Sequence, residues 1–283
     1  MKIGVMVESF RLGFRAGVEK AAALGAAGIQ AYATGGELGY ATMTPEKAKE
    51  ALDIVKSNGL VFSAICGDFG YGFDDPARNP EMIEKSKRVL DVAKMLECDI
   101  VTTHIHQVPP VVCEKKEILR AACTELGRYA DSIGSKFALE TGPEFGEVLG
   151  GFLGSLDTTG VRVNFDPANL HMVSGADPVP EVAVAGKRIV HTHAKDGICL
   201  DPADPGEYYH GFAVGGLEWA RRHTNHKETP LGEGGIDWDK YLTALHEIGF
   251  DGYLTIEREV KNGAEDIRMA VGFLKEKLAK LGF

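Results

Sequence analysis

The chain is built on a repeated grammar. A short apolar, β-branched run is followed by a turn and a longer amphipathic stretch, and the cycle recurs eight times. The runs are KIGVMVE, AGIQAYA, LVFSAIC, CDIVTTHI, KFALE, GVRVNFD, RIVHTHAKD and GYLTIE. Most of the stretches between them carry apolar residues at threes and fours, the helical period. The clearest is TPEKAKEALDIVKSNG. There Thr44 is placed to cap, Pro45 to fill the first turn and Gly59 to close the helix. Strands alternating with helices imply a parallel sheet with helical crossovers. Eight such units imply closure into a (β/α)8 TIM barrel, with the active site at the C-terminal face of the strands.

Length agrees with that reading. The chain has 283 residues, and barrels of roughly 250 residues form one domain. Residues 1–283 therefore read as a single domain with a long loop insertion at about 197–235, rich in Gly, Pro, His and charge. Loops of that length inside compact domains are mostly lids or binding loops. The rival α/β architecture is a doubly wound open sheet. It would be signalled by GxGxxG after the first strand, and GFRAGVEKAAALG lacks that spacing.

Composition narrows the function classes. The chain is 44% hydrophobic and 25% charged, an ordinary globular balance. Its formal net charge is -10, with no basic stripe, so no nucleic-acid partner is expected. No run approaches about 18 consecutive apolar residues, so no membrane span is expected. The start, MKIGVMVESF, is too short and too β-branched to read as a signal core. Five cysteines without a CxxC pair read as free thiols, which fits a cytoplasmic location.

Barrel geometry makes the last residue of each strand the place to look for chemistry. Strands five to eight end in Glu140 (FALETG), Asp166 (VNFDPAN), His193 (VHTHAKD) and Glu257 (LTIERE). Three carboxylates converging on one mouth repel one another and raise each other's pKa. A divalent cation removes that penalty, and three carboxylates with an imidazole suit a hard or borderline one. These four residues are the predicted metal ligands. Mn2+ is the foremost candidate, with Mg2+, Co2+ and Zn2+ as alternatives.

The segments FALETGPE, VNFDPANL, VHTHAKDG and LGEGGIDWDKYLTALHEIGFDGYLTIERE resemble the xylose isomerase-like TIM barrels, in particular the sugar phosphate isomerase/epimerase branch. The resemblance covers nearly the whole chain. It places that family's metal ligands on the same four residues. It also implies, by analogy with the ketose 3-epimerases and inosose isomerases, that Glu140 and Glu257 are the acid/base pair, one taking a proton from carbon and the other returning one. The implied activity is a metal-dependent isomerisation or epimerisation of a keto-sugar, sugar derivative or inosose through a metal-stabilised enediolate. An alternative within the superfamily is a lyase or dehydratase acting on 3-keto sugars or oxidised glycosides. DNA cleavage like that of endonuclease IV would require more histidine ligands and a basic face. The resemblance further implies a small sugar or polyol substrate and a homodimer or homotetramer.

Other polar residues near the predicted mouth carry open alternatives. His104 and His106 (THIHQ) are expected on one barrel face by period 2, as substrate contacts, a proton shuttle or packed histidines. Asn169 stands where the epimerases carry a histidine. It either contacts substrate or caps the next helix. Lys195 could neutralise an anionic substrate group, and Glu144 could reach the mouth. Asp196 could orient a ligand. His191, two residues before His193, falls one tier deeper and reads as a hydrogen-bonded core histidine.

Overall fold

A computed structural model describes residues 1–142, 144–260 and 263–283. In chain order the elements are β1 (Lys2–Met6), α1 (Phe14–Leu24), β2 (Gly28–Tyr32), α2 (Pro45–Ser57), β3 (Val61–Cys66), α3 (Asn79–Met95), β4 (Ile100–Thr103), α4 (Glu114–Ser132), β5 (Lys136–Glu140), α5 (Gly146–Gly154), β6 (Val161–Phe165), α6 (Pro167–Ser174), α7 (Val179–Ala185), β7 (Ile189–Ala194), β8 (Asp196–Cys199), α8 (Pro205–Arg222), β9 (His226–Thr229), α9 (Trp238–Glu247), β10 (Tyr253–Ile256) and α10 (Gly263–Leu281). Eight parallel strands close into a barrel in the order β1-β10-β7-β6-β5-β4-β3-β2. This is the (β/α)8 architecture expected from the alternation.

Local chemistry explains the elements. In α2 the Thr44 hydroxyl accepts the Lys47 N–H at 3.3 Å, Pro45 fills the first turn and Gly59 has φ +70°. Apolar faces of strands and helices meet in a continuous core. Phe165 stacks on Tyr241 of α9 with ring centroids 5.9 Å apart. Phe137 of β5 meets Phe73 edge-on at 6.0 Å. The first contact fixes how α9 sits on β6, and the second anchors the segment between β3 and α3 to β5.

Three findings refine the sequence reading. Helix α6 follows Asp166 directly, with the Asp166 carboxylate as its cap and Pro167 in its first turn. It is short and buried on nearly every side, so it lacks an amphipathic signal. The 197–235 segment does lie between the seventh and eighth barrel strands, but it is folded. Strands β8 and β9 form an antiparallel pair joined by α8. The glycines that disguise α8 include Gly211 and Gly215, where a Cβ would collide with Trp219. Finally, β4 stops at Thr103 and His106 has φ +65°, so strand alternation does not extend to His106.

Candidate metal centre

Four strand ends deliver the centre. Glu140 closes β5, Asp166 follows β6, His193 lies at the end of β7 and Glu257 follows β10. One ligand atom from each falls within 4.8 Å of all the others. Nδ1 of His193 lies 3.3 Å from Glu140 Oε1, 3.7 Å from Asp166 Oδ2 and 3.5 Å from Glu257 Oε2. Asp166 Oδ2 and His193 Nδ1 are buried without a hydrogen-bond partner. Buried polar atoms are nearly always paired. Two such atoms facing one another and two further carboxylates suit a cation held by oxygen and nitrogen.

The other polar atoms of these four side chains are tied to protein. Asp166 Oδ1 accepts the N–H groups of Ala168 at 2.7 Å and Asn169 at 3.2 Å, so capping α6 leaves Oδ2 free. Glu140 accepts from Asn169 Nδ2 at 2.9 Å and Asn164 Nδ2 at 3.2 Å. His193 Nε2 lies 3.0 Å from Gln30 Oε1. Glu257 Oε2 accepts from Lys195 Nζ at 3.0 Å.

Electrostatics separates the two glutamates. Burial raises both. At Glu140 the imidazoles of His104 and His193 outweigh it and hold the carboxyl well below the usual range. At Glu257 burial prevails over Lys195 and His193, and the pKa is raised. Burial, reinforced by neighbouring His193, pushes His191 far down and keeps it neutral.

The remaining candidates separate by position. His104 reaches the centre, with Nε2 3.5 Å from Glu140 Oε1 and Nδ1 2.9 Å from Asp68 Oδ2. Asn169 is buried, its amide also donating to the Thr141 carbonyl at 3.2 Å. Lys195 is engaged by Glu257 and, at 3.1 Å, by Glu259. His191 is fully buried between Asn164 Oδ1 at 2.8 Å and Thr255 Oγ1 at 2.9 Å.

Three residues are committed elsewhere. His106 spends both ring nitrogens on the segment after β3, on Asp74 at 2.9 Å and the Gly72 N–H at 3.0 Å. Glu144 accepts the Val108 N–H at 3.0 Å. Asp196 contacts no ligand. It accepts from the N–H groups of Gly197, Gly232 and Ile236 and from Trp238 Nε1 at 2.8 Å, pinning the β8–β9 hairpin to α9.

Sequence reasoning passed over Gln30, Asn164, Thr255 and Tyr209. The first three are buried polar residues inside largely apolar strands. Asn164 and Thr255 precede Asp166 and Glu257 by two positions, a signal that period 2 makes readable. Tyr209 comes from α8, and its hydroxyl donates to the Asn169 carbonyl at 3.2 Å.

The family described as xylose isomerase-like TIM barrel matches residues 18–277. An uncharacterized protein of Methanocaldococcus jannaschii is 23% identical over 214 residues, which span 70% of this chain and 65% of that protein. Two solved structures share the fold. The probable 3-DHS dehydratase AsbF of Bacillus anthracis superposes with a TM-score of 0.76 at 20% identity, covering 97% of this chain and 99% of that one. The D-psicose 3-epimerase of Clostridium cellulolyticum H10, solved with D-tagatose, gives 0.73 at 15% identity, covering 98% and 99%.

Proposed function

We propose that this chain, which belongs to the xylose isomerase-like TIM-barrel family, is a divalent-metal-dependent isomerase or epimerase of a keto-sugar, sugar derivative or inosose. The observation that carries the reading is the buried, unpartnered pair Asp166 Oδ2 and His193 Nδ1, set among the carboxylates of Glu140 and Glu257. Mn2+ is the ion to try first, ahead of Mg2+, Co2+ and Zn2+. A bound cation would polarise a substrate carbonyl and its neighbouring hydroxyl and so acidify the hydrogen on the carbon between them.

The chain's own residues supply the proton chemistry. In barrel order β10 and β5 flank β7 and β6, so Glu257 and Glu140 approach the substrate from two sides. Glu257 takes the proton from carbon as general base. Glu140, held by two amide donors, serves the opposite side. Which carboxylate returns the proton sets the stereochemistry. Asn169 donates to Glu140, and its own carbonyl accepts the Tyr209 hydroxyl, which ties α8 to this side of the site.

Incubation of keto-sugars and inososes in D2O with added Mn2+ tests this. Deuterium should enter at the carbon beside the carbonyl, with no leaving group lost, and Glu257→Gln should abolish that exchange. Unchanged exchange in the variant refutes the role of Glu257. One observation favours a dehydratase as second reading. The Asp68–His104 pair beside Glu140 offers an acid for a departing hydroxyl. A product lighter by one water would establish that reading instead.

A further inference from the structure

Beneath the four ligands lies a second tier of buried polar side chains. Asn164, His191 and Thr255 stand two residues before Asp166, His193 and Glu257, and Gln30 and Thr102 join them from β2 and β4. An apolar tier would be the ordinary filling of such a barrel.

The tier has a fixed polarity. The Thr255 hydroxyl donates to His191 Nε2, and His191 Nδ1 donates to Asn164 Oδ1. Asn164 is thereby turned so that its Nδ2 faces Glu140 Oε2 and, at 3.3 Å, His193 Nε2. An amide N–H cannot accept from an imidazole N–H. Among the described residues, the one acceptor within reach of His193 Nε2 is therefore Gln30 Oε1, at 3.0 Å. Gln30 is itself oriented, because its Nε2 donates to Thr102 Oγ1 at 2.8 Å.

We infer that Gln30 is a positioning residue for the metal centre. By accepting the Nε2–H of His193 it fixes the tautomer in which the Nδ1 lone pair points at the three carboxylates. Partners of this kind set both the ring orientation and the basicity of a ligating imidazole. The inference rests on the metal-centre reading above.

The test is Mn2+ binding to chelator-stripped protein, followed by loss of the free-ion electron paramagnetic resonance signal. Gln30→Leu removes the acceptor and should weaken binding by about 10–100-fold. Gln30→Glu restores an acceptor and should bind within about threefold of wild type or tighter. Thr102→Val, a small change two strands away on β4, should give a smaller loss in the same direction, and it serves if Gln30→Leu does not fold. Gln30→Leu binding within twofold of wild type overturns the inference. So does Gln30→Glu binding as weakly as Gln30→Leu, or Thr102→Val binding as wild type. Wild-type protein that binds no Mn2+ overturns the metal reading and this inference with it. Normal wild-type binding with an unaffected Gln30→Leu leaves the metal reading standing alone.

Discussion

At the scale of single residues, Glu144 shows what burial does to an acid with one partner. Desolvation outweighs the Val108 N–H and nearby His104 and pushes its pKa up to about 8. The folded state therefore keeps a proton that the unfolded chain releases near pH 4.5. The stabilisation linked to that proton is fully present below about 4.5 and is lost as pH rises through about 8. Glu144→Gln keeps an acceptor for Val108 and never ionises. Its stability relative to wild type should rise between pH 4.5 and 8, by about 2–5 kcal/mol. Urea denaturation at both pH values measures this, and a constant difference would contradict it. The cluster of Glu140, Asp166, His193 and Glu257 is legible in the sequence because strand ends and period 2 place side chains without knowledge of packing. The commitments of His106 and Asp196 are not. Each is decided by a backbone turn or by donors tens of residues away.

At the scale of elements, the insertion depends on Asp196. Its carboxylate gathers four N–H donors from both ends of the hairpin segment and from α9. Asp196→Ala would leave several buried donors unpaired, each costing about 1–3 kcal/mol before relaxation. The expected loss is about 2–4 kcal/mol, with faster amide hydrogen exchange in β8 and β9. A loss below about 0.5 kcal/mol, the range of ordinary surface changes, would contradict that assignment. Strand β1 contributes by what it lacks. A Cβ on Gly4 would lie 2.6 Å from Thr255 Oγ1, the hydroxyl bonded to His191. Gly4→Ala should therefore cost about 1–3 kcal/mol through overpacking and disturb His191 without touching a ligand. Calorimetry and the His191 ring proton shifts read both effects. The eight strands are legible because each is bounded by a turn. Helices α6 and α8 are not, since one is buried on nearly every side and the other is broken at Gly216 (φ 59°, ψ −156°).

At the scale of the whole molecule, strands far apart in sequence meet at one mouth. The four clustered side chains come from positions 140 to 257, and Gln30 joins them from the second strand. The barrel and the ion should therefore be coupled. A ligand that binds only the folded state stabilises it by about 2.7 kcal/mol at one hundred times its dissociation constant. No helix among the described residues is long and apolar enough to cross a membrane. Thermal melts with and without added Mn2+ follow that coupling. We propose that Glu140, Asp166, His193 and Glu257 together hold one divalent cation. Mn2+ titrated calorimetrically into chelator-stripped protein tests it most directly. One ion should bind per chain, with affinity reduced at least about 100-fold in His193→Ala and Asp166→Ala, since each removes a side chain that would contact the ion. Wild-type protein that binds no ion, or variants that bind as well as wild type, would contradict it.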